Sequence, residues 1–306
     1  MAELRFDGRV AVITGAGRGL GRAYALLLGS KGAKVVVNDI GGSMKGEGAD
    51  AGPAEEVAAE IRAAGGEAVA CADSVATPEG GQAIIQAAID HYGQLDILIH
   101  NAGNVRYGSL KEISYEDFNA VLDVHLRGAF HVVRPAFPIM AAAGYGRVVL
   151  TSSVGGLYGN HRVVNYGVAK AGMIGLNNVI ALEGEAEGIR SNIIVPGAVT
   201  RMAEGLDTSI YPKMDPDMVA PAVGWLAHEN CSITGEMLVS MAGRVARAYI
   251  AETEGVYQDP WTIDSIGERI DEIRKPDPVI DFGLHGHVDH IMYSFAMARK
   301  AQEAEA

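Results

Sequence analysis

The sequence predicts an α/β fold: a doubly wound parallel sheet in a single domain, with an extension at its C-terminal end. Two observations carry that prediction. Short apolar, β-branched runs alternate with longer helical stretches between Arg9 and Val239, and such alternation implies a parallel sheet covered by helices on both faces. The first strand also runs straight into a glycine-rich turn and a helix, which is the context of a phosphate-binding loop. Bulk composition agrees: 306 residues are ample for a core, and 48% hydrophobic residues with 39 glycines suit a compact chain rich in tight turns.

VAVIT, within Arg9–Thr14, reads as the first strand, followed by Gly15-Ala-Gly-Arg-Gly-Leu-Gly21 and a helix through Ala23–Leu28. Small residues at Gly15, Gly19 and Gly21, beside Arg18 and Leu20, let the backbone approach a pyrophosphate at the helix N-terminus. Alone, such a turn is also an ordinary βα connection. Lys34–Val37 is the second strand and ends at Asn38-Asp39. A carboxylate there accepts hydrogen bonds from a ribose 2′-OH and repels a 2′-phosphate, which favours NAD.

A polar loop, Gly41–Gly52, precedes the helix Pro53–Ala64 and the short strand Glu67–Ala70. Asp73-Ser74 follows, with a helix-capping or turn role as the plain alternative for Asp73. The helix Pro78–Tyr92 feeds the strand Leu95–His100, and Asn101-Ala102-Gly103 comes directly after it. Ser114–Ala143 reads as one long helix, with Ser114 as N-cap and Asp117 three residues on. Within it, His125 reads as a buried, hydrogen-bonded histidine.

The stretch Arg147–Lys170 holds the chemistry. Val148–Thr151 is a buried strand ending at Ser152-Ser153, a glycine-rich turn follows, and a helix then carries Tyr166 and Lys170. Four residues apart on a helix, those two side chains share one face. A phenol with an unperturbed pKa near ~10 is a poor acid. A neighbouring ammonium favours the phenolate and brings it toward use at neutral pH, while a serine hydroxyl holds a substrate oxygen. By itself, Tyr-x-x-x-Lys is usually a solvated helix face.

With Ser153 thirteen residues before Tyr166, the triplet resembles the short-chain dehydrogenase/reductase active site, and the rest of the chain adds to the likeness. Thr14-Gly15-x-x-x-Gly19-x-Gly21 and Asn101-Ala-Gly103 are the family's two other motifs. The resemblance implies a Rossmann-like fold, with Ser153, Tyr166 and Lys170 as the catalytic set and Lys170 also binding the cofactor ribose. It implies an adenine contact at Asp73-Ser74 and a nicotinamide contact at Val199, in the turn Pro196–Thr200 that closes the strand Arg190–Val195. Arg18 is a type of residue that accompanies NADP in this family, so it opposes Asp39; Asp39 is weighed more heavily. Many members carry asparagine where His125 stands, anchoring a proton-relay water, so the resemblance implies a relay role as the alternative for His125. Arg201–Met218 falls where the family folds a lid over substrate.

A narrower likeness rests on Val35-Val-Val-Asn-Asp-Ile-Gly-Gly42, Val124-His-Leu-Arg-Gly128, Leu157-Tyr-Gly-Asn160 and Val219-Ala-Pro221. These resemble the dehydrogenase domains of type-two peroxisomal multifunctional enzymes, which also have histidine at the position of His125. It implies oxidation of an (R)-3-hydroxyacyl-CoA, with a 3-ketoacyl carrier-protein reductase or a 17β-hydroxysteroid dehydrogenase as alternatives. A catalytically silent nucleotide-binding protein is a remote one. The chain departs from that group at Pro196-Gly197 and in its tail.

The later elements are a helix from His161 to Glu187, a helix at Asp217–His228 and a strand at Glu236–Val239. Residues 1–244 are the expected catalytic domain, and 245–306 a helical extension whose stripe Ile263, Ile266, Ile270, Ile273 packs on the body or a partner subunit. His285-Gly-His287-Val-Asp-His290 lacks a strong zinc spacing, so no metal is expected. Apolar residues on more than one side of the helices Ser114–Ala143 and His161–Glu187 predict a homodimer or homotetramer.

A net charge of −13 argues against nucleic acid and anionic membrane as partners, leaving a small molecule such as an acyl-CoA or steroid. Two cysteines, Cys71 and Cys231, cannot make a disulfide framework. No apolar stretch reads as a span or leader, and the last residues, AQEAEA, are not a peroxisomal signal, so a cytoplasmic protein is expected.

Overall fold

The computed structural model describes residues 3–201 and 210–305. Its sheet begins with β1 (Val10–Thr14), β2 (Lys34–Asn38) and β3 (Glu67–Cys71), and crosses over to β4 (Ile97–His100), β5 (Gly146–Thr151), β6 (Ile189–Gly197) and β7 (Met237–Met241). The spatial order is β3-β2-β1-β4-β5-β6-β7-β8, and the pairings from β3 to β7 are all parallel, such as Thr14 opposite Asn38 and His100. Parallel strands covered on both faces must be apolar throughout, and all five residues of VAVIT are buried.

Sequence reasoning missed β8 (Arg244–Ala248). It follows β7 through the two-residue turn Ala242-Gly243, both at positive φ, and lies beside it at the sheet edge. Its two arginines, Arg244 and Arg247, suit an exposed edge.

On one face α1 (Gly19–Ser30), α2 (Gly52–Ala63) and α8 (Ala220–Ala227) share a core with the sheet around Ile13, Tyr24, Leu28, Ile61 and Val223. On the other lie α3 (Pro78–Tyr92), α4 (Tyr115–Leu122), α5 (Gly128–Ala143) and α7 (Val164–Gly184). The single long helix expected over Ser114–Ala143 is two helices joined by a π-helical turn, Asp123–Arg127. Ser114 caps the first, its hydroxyl accepting the Asp117 N–H at 3.0 Å. The expected turn after Ser153 winds into a short helix, α6 (Val154–Tyr158), capped by Ser153 itself.

The chain divides into two compact units, Met1–Arg247 and Ala248–Ala306. The second is not wholly helical. β9 (Glu252–Thr253) pairs antiparallel with β10 (Val279–Ile280), beside α9 (Ile263–Glu268), α10 (Ile270–Ile273) and α11 (Gly286–Glu305). The isoleucine stripe does not form one helix: the helix breaks at Arg269, and Ile263 is 92% exposed. No helix among the described residues is long and apolar enough to cross a membrane, and no cluster of metal-ligating side chains occurs among them. His290 instead pairs with Glu252 at 3.1 Å.

Candidate active site

The carboxyl ends of β1, β2, β4, β5 and β6 converge on one crevice, as expected where a parallel sheet reverses its winding. Its first half is a pocket lined by Gly15, Arg18, Gly19, Leu20, Asp39, Asp73, Ser74, Asn101, Ala102, Gly103 and Asn104. The glycines are there because backbone passes against backbone. A Cβ on Gly15, whose φ is +64°, would lie 2.7 Å from Ala102 Cα, and one on Gly21 would strike the Gly15 carbonyl. Gly21 therefore packs behind the pocket rather than lining it.

Asp39 Oδ2 accepts the Gly17 N–H at 2.9 Å and Oδ1 the Gly41 N–H at 2.7 Å, which fixes the carboxylate at the pocket edge. Each oxygen keeps a further lone pair for a ribose hydroxyl. The donor set thus fits a dinucleotide: helix-end N–H groups for the pyrophosphate, a held carboxylate for the ribose, and small residues between them. In the turn after β6, Thr200 and Arg201 line this pocket. Val199, expected at the nicotinamide contact, is 36% exposed and donates its N–H to Met214 O at 2.7 Å. The expected lid is described only in part, because 202–209 lie outside the described residues.

The second half is a cavity of about 390 Å³ lined by Val105, Tyr107, Ser153, Val154, Tyr158, Val163 and Tyr166, among others. The two predicted catalytic positions Ser153 and Tyr166 meet here, and the Ser153 hydroxyl accepts the Gly155 N–H at 3.1 Å. Lys170 lies on the same face of α7, its Nζ 5.7 Å from the Tyr166 ring centre, and donates to Thr151 O at 2.6 Å. Ser152 Oγ donates to the Lys170 carbonyl at 2.7 Å and ties the helix to the end of β5.

The electrostatics differ from the expectation that Lys170 lowers the phenol's pKa. Burial holds Tyr166 above its ordinary value, and the Ser153 hydrogen bond is the opposing pull. Lys170 is itself buried, and loss of solvation brings its ammonium down to about 7. Desolvation outweighs the charge effect, because the ammonium sits beneath the ring and bonds to backbone rather than to the phenol oxygen.

His125 stands in the π turn, wholly buried, its ring edge-on to Tyr166 at 5.3 Å. Its Nε2 is 2.8 Å from Asn104 O and 3.1 Å from Asn104 N. Burial and the nearby Lys170 hold the ring neutral, well below the usual histidine value. Gly103 is needed here because a Cβ would collide with that imidazole.

Three positioning residues escaped sequence reasoning. Thr14 Oγ1 accepts the N–H groups of Asn101 and Ala102 at 3.1 and 3.2 Å, so its own hydrogen goes to His100 Nδ1 at 3.0 Å. That leaves His100 Nε2 as donor to the His125 carbonyl at 3.0 Å. Burial pushes His100 down to about 3, which keeps it in this neutral tautomer. Asn165, also buried, accepts the Tyr166 N–H at 2.8 Å and donates to the carbonyls of Arg106 and Asp117. No spacing rule marks any of these, since their partners lie 25 to 88 residues away, the Tyr166 N–H beside Asn165 excepted.

A doubly wound sheet, a glycine-lined dinucleotide pocket and a Ser-Tyr-Lys set beside it define a nicotinamide-dependent oxidoreductase. Residues 9–209 match the short chain dehydrogenase family, and the chain belongs to it. It is 46% identical over 270 residues to the peroxisomal multifunctional enzyme type 2 of Drosophila melanogaster, over 86% of this chain and 45% of that one. The solved full-length Drosophila enzyme has a TM-score of 0.79 at 37% identity, covering 95% of this chain and 50% of that one. A short chain dehydrogenase from Mycobacterium avium has a TM-score of 0.76 at 38% identity, covering 88% and 95%. The chain thus spans about half the length of the multifunctional enzymes it matches.

Proposed function

We propose that this chain is an NAD-dependent dehydrogenase that oxidises the secondary alcohol of an (R)-3-hydroxyacyl-CoA to a ketone. The observation that carries the reading is the meeting of Ser153 and Tyr166, with Lys170 behind them, where an apolar cavity adjoins the pocket edged by Asp39. The nicotinamide, when bound, accepts a hydride. Tyr166 takes the hydroxyl proton, Ser153 holds the oxygen that becomes the carbonyl, and Lys170 binds the ribose. Asp39 supports NAD over NADP, since a 2′-phosphate would face its carboxylate.

The acyl-CoA assignment rests on the likeness to multifunctional enzymes and on the apolar walls of the cavity, including Val105, Val154 and Val163. A homo-oligomer belongs to the same proposal. Several apolar residues of α5 and α7 expected on a second face are in fact buried, among them Val133 and Met173, but Phe130, Val168, Val179 and Leu182 stay exposed there. Steady-state rates with (R)- and (S)-3-hydroxyacyl-CoA and with steroid alcohols, each with NAD and NADP, test the assignment. Preference for the (R)-thioester with NAD is expected. Turnover confined to steroids, or to ketone reduction with NADPH, would sink it.

A further inference from the structure

The loop between β2 and α2 connects the two halves of the crevice. It is closed on itself, with the Asp50 N–H on Ile40 O at 2.8 Å and the Ser43 N–H on Glu47 O at 2.8 Å. Gly42, Ser43 and Gly46 on its inner side line the dinucleotide pocket. Its outer side rests on the segment 104–106, where the Val105 N–H donates to Met44 O at 3.0 Å. Gly46 approaches so closely that a Cβ would lie 2.7 Å from Asn104 Nδ2.

Arg106 holds this junction. Its Nε donates to Lys45 O at 3.1 Å, its Nη2 lies 3.5 Å from Glu47, and its Nη1 donates to Asp117 Oδ1 at 2.7 Å. The guanidinium is only 22% exposed, so these bonds are less screened than ordinary surface pairs. The Arg106 carbonyl accepts from Asn165 Nδ2 at 3.0 Å, and Asn165 Oδ1 holds the Tyr166 N–H at 2.8 Å. An unbroken set of bonds therefore runs from the wall of the dinucleotide pocket to the backbone of the catalytic tyrosine.

We propose that Arg106 is a positioning residue that makes the placement of Tyr166 depend on the dinucleotide, through the docked loop 41–52 and Asn165. A dinucleotide in contact with Gly42, Ser43 and Gly46 holds the loop in its docked place. The docked loop supplies two of the three partners that fix the guanidinium, and Arg106 in turn fixes the amide that anchors the Tyr166 N–H. By reciprocity, loosening Arg106 weakens dinucleotide binding.

The inference rests on the dinucleotide reading of the pocket, and the experiment separates the two. NAD and NADP binding to the wild type, Arg106→Ala and Arg106→Lys would be measured by titration calorimetry. Hydrogen exchange of the peptide spanning residues 163–168 would be followed with and without dinucleotide. In the wild type, dinucleotide should slow exchange at the start of α7. In Arg106→Ala, its Kd should rise about tenfold, as for loss of a charge-assisted bond, and the exchange should no longer respond to saturating dinucleotide. Arg106→Lys should fall between, because one ammonium cannot reach all three partners. A merely structural role would lower Tm and speed exchange equally with and without dinucleotide, leaving Kd unchanged; that result would overturn the inference alone. Failure of the wild type to bind either dinucleotide would overturn the reading beneath it as well.

Discussion

In the dinucleotide half of the crevice, backbone touches backbone, the Asp39 carboxylate is held by two N–H groups, and the Thr14 hydroxyl is fully committed to three partners. In the substrate half, the walls end in side chains that reach into solvent: Tyr107 and Tyr158 are 65% and 82% exposed. A change in the first half leaves a buried polar group unpaired or forces two backbones apart. A change in the second alters only a surface contour. One half can therefore stay fixed for an invariant ligand while the other varies with the substrate.

The largest expected effect lies on the boundary between the halves. Tyr166→Phe should lower kcat by about 10³-fold, within the range for loss of a general base, while dinucleotide affinity stays within about twofold. Paired turnover and calorimetric measurements check it, and a wild-type pH profile retained in an active Tyr166→Phe enzyme would move the proton to another group. Gly21→Ala then tests rigidity, because its Cβ would meet the Gly15 carbonyl and lie 2.6 Å from Asn101 Nδ2. Overpacking of this kind should weaken dinucleotide binding by roughly 10- to 100-fold and lower Tm. Asp39→Ala should reduce the NAD-to-NADP ratio of kcat/KM by about tenfold, as expected when a hydrogen-bonded carboxylate is lost.

Smaller still is a stability effect with a pH signature. Lys170 titrates near 7 when folded, against an ordinary value of 10.5. As pH falls from 10.5 toward 7 the unfolded chain takes up a proton that the folded protein refuses, so this residue's contribution to stability declines through that window and levels off below 7. Lys170→Met, though inactive, should be more stable than wild type in urea, with a larger gain at pH 6 than at pH 9. The smallest change belongs to the substrate half. Tyr158→Ala should alter KM for a long acyl-CoA only a few-fold and leave KM for NAD and Tm unchanged. A large loss of stability there would break the contrast.

The same contrast explains what could be read in advance. Gly15, Gly19, Gly21 and Asn101-Ala-Gly103 were legible because close backbone approach admits few residue types, and Tyr166 with Lys170 because a helix turns spacing into a shared face. His100, Arg106 and Asn165 were not, since a histidine, an arginine and an asparagine have no periodic signature and their partners come from distant strands and loops. Desolvation of Tyr166 and Lys170 was equally hidden, because burial depends on packing that no local pattern specifies. β8 was missed because its short run RVARA, with two arginines in five residues, does not look like a sheet strand until β7 is beside it.

The π turn at Asp123–Arg127 has a further consequence, in terms of chain length. Such a turn is equivalent to an α-helix that has absorbed one inserted residue, and each residue of an α-helix advances about 100°. The register of α5 is therefore offset from that of α4, which is why a single helical period does not describe 114–143. Removing one residue of the turn would let it rewind as α-helix and join α4 and α5 in a single helical period, with Val132, Val133, Ala136 and Met140 of α5 still on the core face.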